Sequence, residues 1–439
     1  MSSPAVSVVV SFFERQDQLD RLLAGLDRQT LSPGAFELVV ADDGSRHAPT
    51  IGRRAYPSRV VRQPDQGFRV ARARNLGAAE TTGRVVAFLD QDCVPTPDYL
   101  CRIDAAVTSS WSLVVGHRLH ASLDGWGPNA VAGWLAGSGP SPRVLPEPEW
   151  LLEGYARTAA LTRPDDHAYQ LVLGAAVSLH RDLFAFLGGF DPTFCQYGGD
   201  DWDLGHRALT AGADLQWLDD ARVWHDGPDL AGRAGDLAST KNAETMALAA
   251  RVPDPDVRGR HLVWRVPTIV VRLRTGDAPL PTVVASVESL LAGADAHVWV
   301  DGPVGAQLLD VVEDPRVHAG APSAAVLSRS RYEVVCAPVL LSGGTLHDLE
   351  PCTPVERPGF RMVRIRDANR NRRGVPWPAG DSWPSQVGVD VLGSAVQLER
   401  HWQEQRLEAD QRARITQPEP VDALVTSTPR GGPASPTTG

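Results

Sequence analysis

Val6–Val10 is a short β-branched run, the pattern of a strand buried in a parallel sheet. Leu19, Leu22, Leu23 and Leu26 follow at i, i+3, i+4 and i+7, the stripe of an amphipathic helix. Phe36–Ala41 reads as a second buried strand and Val60-Val61 as a short third one. Ala71–Ala79 reads as helix, and Arg84–Leu89 as a strand that delivers Asp90. Strand and helix in alternation predict a mostly parallel sheet with crossover helices. Residues 120–170 break the pattern with Pro140, Pro142, Pro146 and Pro148, and predict a long surface excursion with helix near Ala130–Leu135 and Trp150–Leu161. Order resumes with a strand over Leu171–Leu179 and a helix over Asp182–Leu187 closed by Gly188-Gly189. A further helix over Asp203–Ala211 ends at Gly212, and two short strands follow, Leu215–Leu218 and Ala221–Trp224.

A second pattern begins near Val266. Thr268–Arg272 is strand-like, Val283–Leu291 helical, and His297–Val300 a strand ending in Asp301-Gly302-Pro303. This repeats the order Val6–Val10, Leu19 helix, Asp42-Asp43-Gly44, and suggests a degenerate copy of the first unit. The expected layout is an α/β domain over 1–250 and a smaller α/β accessory domain over 260–415. Gln397–Arg414 reads as a charged helix, and 416–439, rich in Pro, Thr, Ser and Gly, as a disordered tail.

At 439 residues, 43% hydrophobic, the chain has material for two or three cores. With 43 basic against 53 acidic residues, the net charge of -10 argues against a nucleic-acid or anionic-membrane surface. Five cysteines without a CxxC spacing argue against a disulfide framework or zinc site and fit a reducing cytosol. The N-terminus lacks the basic and apolar regions of a signal peptide, and no apolar run reaches the roughly 20 residues of a membrane span. The expected location is therefore cytoplasmic.

Against this background three acidic groups stand out. Asp90-Gln91-Asp92 leaves an apolar strand, so its two carboxylates can serve a ribose and a hard cation such as Mg²⁺ or Mn²⁺. Asp42-Asp43-Gly44-Ser45 also ends a strand and can bind a nucleoside through carboxylate hydrogen bonds, where a plain turn is the simpler alternative. Gly198-Gly199-Asp200-Asp201-Trp202-Asp203 places more acid at a helix start than capping needs, and Asp201 can act as a general base. Arg74, between these groups, can face a diphosphate. His225 follows a short strand, where a lone histidine is ordinarily a surface or capping residue; the acidic groups make it a ligand candidate. Trp202, with Trp126 or Trp134, offers a stacking face for a sugar. Together these point to a metal-bound nucleotide-sugar and a carboxylate base.

Val8–Phe13, Val39–Ser45, Ala73-Arg74-Asn75-Leu76-Gly77 and Phe88–Asp92 resemble glycosyltransferase family 2, of the GT-A fold. Gly188-Gly189-Phe190-Asp191 and Tyr197–Asp201 are similar to the C-terminal module of β-1,4-galactosyltransferases and bacterial chondroitin polymerases. The resemblance implies a soluble, metal-dependent, inverting transferase that moves a hexose or N-acetylhexosamine from a UDP-sugar to an acceptor hydroxyl. It implies that Asp42 and Asp43 contact uridine, with Phe12 and Arg74 also in the donor site. Asp90 would bind ribose and the metal, and Asp92 and His225 would complete the Mn²⁺ or Mg²⁺ site. Asp201 would be the catalytic base. Asp200 stands where the family has Glu, one methylene longer, and Trp202 where others have a polar residue. The accessory domain is expected to order the acceptor or form a homodimer. A retaining transferase and a non-catalytic sugar-nucleotide scaffold are the rival readings. A nucleotidyltransferase is disfavoured because Lys241 is the chain's only lysine.

Overall fold

The computed structural model describes residues 3–229, 237–259, 262–373 and 388–391. The expected helix Gln397–Arg414 and the tail from 416 lie outside the described residues. In chain order the first half runs β1 (Val6–Phe12), α1 (Gln16–Leu26), β2 (Phe36–Asp42), β3 (Ser58–Arg62), α2 (Val70–Ala79), β4 (Val85–Asp90), β5 (Cys93–Pro95) and α3 (Tyr99–Ala106). It continues through β6 (Ser112–Ser122), α4 (Pro128–Leu135), β7 (Arg143–Leu145), α5 (Glu149–Arg157), β8 (Ala176–His180), α6 (Arg181–Leu187), α7 (Asp200–Thr210), β9 (Asp214–Asp226) and α8 (Leu237–Ala249).

These strands form one sheet in the order β3-β2-β1-β4-β8-β6-β9-β5, with β7 on β6. β3, β2, β1 and β4 are mutually parallel, and β8 is antiparallel to β4. Period-two alternation sends the β1 and β4 side chains to opposite faces. Val9, Val86 and Phe88 join one apolar core, while Val6, Val8, Val10, Ala87 and Leu89 join the other. The α1 leucines Leu19, Leu22, Leu23 and Leu26 pack into the second core, as their spacing requires.

Four local expectations are corrected. Residues 120–170 are less irregular than their prolines suggest: β6 runs to Ser122, β7 pairs with it, and α4 and α5 follow. The strand expected over Leu171–Leu179 is a 3₁₀ turn, Ala168–Leu171, followed by β8. The two short strands after Gly212 are one strand, β9, carrying an irregularity opposite Gly116/His117. Finally α7 begins at Asp200, three residues before the expected start.

The second half holds β10 (Ile269–Leu273), α9 (Leu280–Leu291), β11 (Ala296–Val300), α10 (Gly302–Leu309), β12 (Val317–Ala319), α11 (Ala324–Leu327), β13 (Tyr332–Cys336) and β14 (Val339–Ser342). Then come α12 (Leu346–Leu349), β15 (Val355–Arg357), β16 (Phe360–Arg364) and α13 (Ile365–Arg372). A separate sheet runs β12-β11-β10-β13-β16-β15 around its own core. Its first four strands are parallel and β16 is antiparallel to β13. That is the order and polarity of β3-β2-β1-β4-β8, so the repeat expected from the sequence exists at the level of topology. Its strand ends differ: β13 leads into Ala337-Pro338, where β4 leads into acids. Among the described residues no helix is long and apolar enough to cross a membrane.

Candidate functional site

A cavity of about 870 Å³ opens at the carboxyl ends of β1, β2 and β4, where parallel sheets gather ligands. Phe12, Asp43, Arg74, Asp90, Asp92, Asp200, Asp201 and His225 all line it. Asp42 does not. It is fully buried, and its Oδ1 accepts from the backbone N–H and hydroxyl of Ser45 at 2.9 and 2.6 Å. Its carboxylate shapes the turn that presents Asp43. Asp43 Oδ1 accepts from Gln63 Nε2 at 2.5 Å, and Oδ2 from the Arg69 N–H at 2.9 Å. Burial raises its pKa from the ordinary aspartate value, against the pull of the Gln63 and Arg69 hydrogen bonds.

β5 sits at the far edge of the sheet, paired antiparallel with β9 so that Cys93 faces His225. This register carries Asp92 alongside the imidazole, with Nε2 3.3 Å from Asp92 Oδ2. His225 Nδ1 lies 3.2 Å from the Gly227 carbonyl. Assigning the ring proton to that contact leaves the Nε2 lone pair facing a carboxylate. A histidine oriented by a backbone carbonyl beside carboxylate oxygens is a suitable donor set for Mn²⁺ or Mg²⁺. His167, Asp254 and Asp256 form another acid–imidazole group, outside the cavity. There His167 Nδ1 is 3.1 Å from Asp254 Oδ2, and the neighbouring carboxylate raises the histidine's pKa.

Arg74 ties the two acidic groups together. It is buried, with Nη2 2.6 Å from Asp90 Oδ1 and Nη1 2.7 Å from Asp200 Oδ2. Its guanidinium lies over the Phe190 ring at 5.1 Å. A side chain on Gly174 would put Cβ 2.8 Å from Nη1, so the glycine makes room for the bridge. Ser11 Oγ donates to Asp90 Oδ1 at 3.0 Å. Asn75, one residue on, holds the Phe190 carbonyl and N–H at 2.8 and 2.9 Å, fastening the Gly188–Asp191 loop to α2. Burial raises the Asp200 pKa against the pull of Arg74.

Asp201 faces the cavity from the first turn of α7. Its Oδ2 accepts from the Gly174 N–H and its Oδ1 from the Trp202 N–H, both at 2.9 Å. Gly199 precedes the helix at φ 89°, a left-handed turn that costs a glycine little. The backbone thus aims the carboxylate, and the helix N-terminus favours its charge.

Several cavity residues escaped the sequence reading. Gln91 Oε1 accepts from the Phe13 N–H at 2.7 Å and so pins the loop between the two acids to β1. Arg118 pairs with Asp229 at 2.9 Å. Trp150, Lys241 and Glu244 complete the wall. Arg118 lies in β6, whose mixed sequence gave no strand signal. Trp150, Lys241 and Glu244 are brought in by elements far away in the chain.

A parallel sheet with carboxylates grouped around one cleft at its strand ends defines an α/β ligand-binding domain of the nucleotide-binding class. Residues 7–151 match Glycosyl transferase family 2, and residues 157–225 match the N-terminal domain of galactosyltransferase. Over residues 7–151, then, the chain resembles glycosyltransferase family 2. It is 34% identical over 227 residues to validoxylamine A glucosyltransferase of Streptomyces hygroscopicus subsp. limoneus, covering 46% of this chain and 48% of that protein. It is 26% identical over 269 residues to hyaluronan synthase of Pasteurella multocida, covering 56% and 27%. Against chondroitin synthase of Escherichia coli the figures are 25% over 265 residues, covering 56% and 38%. The chain thus spans about half or less of the length of these relatives.

Proposed function

We propose that this protein transfers a hexose or N-acetylhexosamine from a UDP-sugar to an acceptor hydroxyl, with inversion and with a divalent cation. The carrying observation is that Asp92 and His225, 3.3 Å apart, share one cavity with Asp201. Asp92 and His225 would hold Mn²⁺ or Mg²⁺, with Asp90 beside them. The cation, when bound, offsets charge on the departing diphosphate. Phe12 and Asp43 lie at the β1 and β2 ends and suit the nucleoside. Asp201 takes the proton of the acceptor hydroxyl as its oxygen attacks the anomeric carbon. The bond from that carbon to the diphosphate oxygen breaks, and UDP leaves. Asp201 suits this role because two backbone N–H groups fix its orientation. The acidic groups, joined by Arg74, are then one assembly that separates donor chemistry from proton removal.

The test is a thermal-shift panel of nucleotide-sugars with and without Mn²⁺, followed by turnover of Asp201→Asn. The expected outcome is stabilisation by UDP-sugars that depends on the cation. In the variant, transfer falls by about 10²–10⁴-fold while UDP binding persists. Product with retained anomeric configuration, read by NMR, would overturn the inverting reading.

A further inference from the structure

Glu244 is a carboxylate in the cavity wall that the proposed reaction leaves unused. It lies on α8, beyond residue 225 where the family matches end. Its side chain is only 7% exposed, and Lys241 Nζ holds Oε2 at 2.7 Å. Among the described residues Oε1 has no hydrogen-bond partner. The carboxyl sits against the Gly-Gly turn before α7: a Cβ on Gly198 would fall 2.9 Å from Glu244 Cδ and 3.1 Å from Oε1. Gly198 therefore does more than permit a turn, because any side chain there would push this carboxylate away. Burial raises the Glu244 pKa, the Lys241 ion pair pulls it back, and the charge of Asp201 raises it again. Aromatic rings line the same cavity. Lys241 stands over Trp202 at 5.4 Å, and Trp202 meets Trp150 edge-on at 6.4 Å. Trp150 and Tyr197 are each 44% exposed.

From this arrangement we infer that Glu244, with Trp150 and Trp202, forms an acceptor subsite for a neutral polyhydroxylated ring, a sugar or cyclitol. The inference rests on the transferase reading and narrows its acceptor. Proton removal by Asp201 engages one hydroxyl only. A second carboxylate lining the same space, its Oε2 held by Lys241, can take a second hydroxyl donor on Oε1. Indole faces suit the C–H face of a ring. A seryl side chain or a lipid alcohol offers a single hydroxyl and leaves Glu244 without its bond.

The experiment titrates intrinsic tryptophan fluorescence of the whole protein, with UDP and Mn²⁺ present, using neutral sugars, cyclitols and a Ser/Thr hexapeptide as probes. Wild type is expected to show a saturable change with at least one polyol and none with the peptide. Glu244→Gln keeps shape and removes charge. It should weaken that polyol by about ten-fold or more, the loss of a hydrogen bond to a charged group. UDP affinity by calorimetry should stay at the wild-type value, which also reports a folded site. Whichever polyol saturates then identifies the ring as sugar or cyclitol. Saturation by the peptide, saturation by no polyol, or equal polyol affinity in Glu244→Gln would each overturn the subsite. Transfer surviving in Asp201→Asn would instead remove the base assignment and leave this titration standing.

Discussion

Side-chain identity matters most at Arg74, where one guanidinium satisfies two carboxylates from distant parts of the chain. Asp90 leaves β4 and Asp200 starts α7, yet both lie within 2.7 Å of its nitrogens. The planar fork of arginine can point one nitrogen at each acid, whereas a lysine offers a single charged centre. Arg74→Met should leave two facing carboxylates without their cation, one of them buried. The expected loss is about 3–5 kcal/mol of stability, and Arg74→Lys should recover only part of it. Chemical denaturation of the two variants measures this, and an unchanged midpoint would mean that the bridge is idle. The residue scale also shows the limit of a sequence motif. Asp42 and Asp43 are adjacent and chemically identical. The strand end turns Asp42 into its own loop and Asp43 into the cavity.

Among the elements, α7 joins the acidic site to the rest of the fold. Its first turn carries Asp200, Asp201 and Asp203, and its buried face packs on the Ala168–Leu171 turn. Gly205 is the point of closest approach. A Cβ there would meet Val172 Cγ2 at 2.8 Å and the Tyr169 carbonyl at 2.9 Å. Neither neighbour is the far end of a flexible side chain, so the helix itself must shift. Gly205→Ala gains helix propensity, worth about 1 kcal/mol. Overpacking should outweigh it, for a net loss on the order of 1–3 kcal/mol and lower transfer activity, since Asp201 moves with the helix. Thermal melts together with turnover would check both. A more stable protein of full activity would contradict the packing argument.

At the scale of the molecule, the second sheet grips the first through arginines. Arg329 pairs with Asp203 on α7 and, at 3.0 Å, with Asp191; its carbonyl lies 2.6 Å from His206 Nε2. Arg331, Arg364 and Arg366 converge on Asp166, and Arg370 on Asp214. The half without an acidic strand-end site thus clamps the helix that carries Asp201. Burial at this interface pushes the His206 pKa down to about 4, and burial in the second sheet does the same to His297. The unfolded chain binds protons near the ordinary histidine value of about 6.5, so between that pH and 4 it holds more protons than the fold. Stability should therefore fall as pH drops through this window, on the order of 1–3 kcal/mol per histidine by pH 4. Melting temperatures from pH 8 to 4.5 test this. His206→Gln should flatten the slope, and a flat wild-type profile would refute the assignment.

Much of this architecture was legible in the one-dimensional pattern, because short-range physics sets it. A β-branched run must bury both faces, a leucine stripe must face a core, and acids cannot continue an apolar strand. Those constraints yielded β1 to β4, α1, α2 and the second sheet's β10, α9 and β11, and they marked Asp43, Asp90, Asp92 and Asp201. β6 was missed and the long β9 was read as two short strands, because their residues alternate irregularly. Only the tertiary structure decided that Asp92 meets His225, since the β5–β9 register spans more than a hundred residues. It also decided that Arg74 bridges two acids and that Glu244 reaches the cavity over Gly198. Those contacts come from how the strands and helices pack, and no local preference in the chain encodes them.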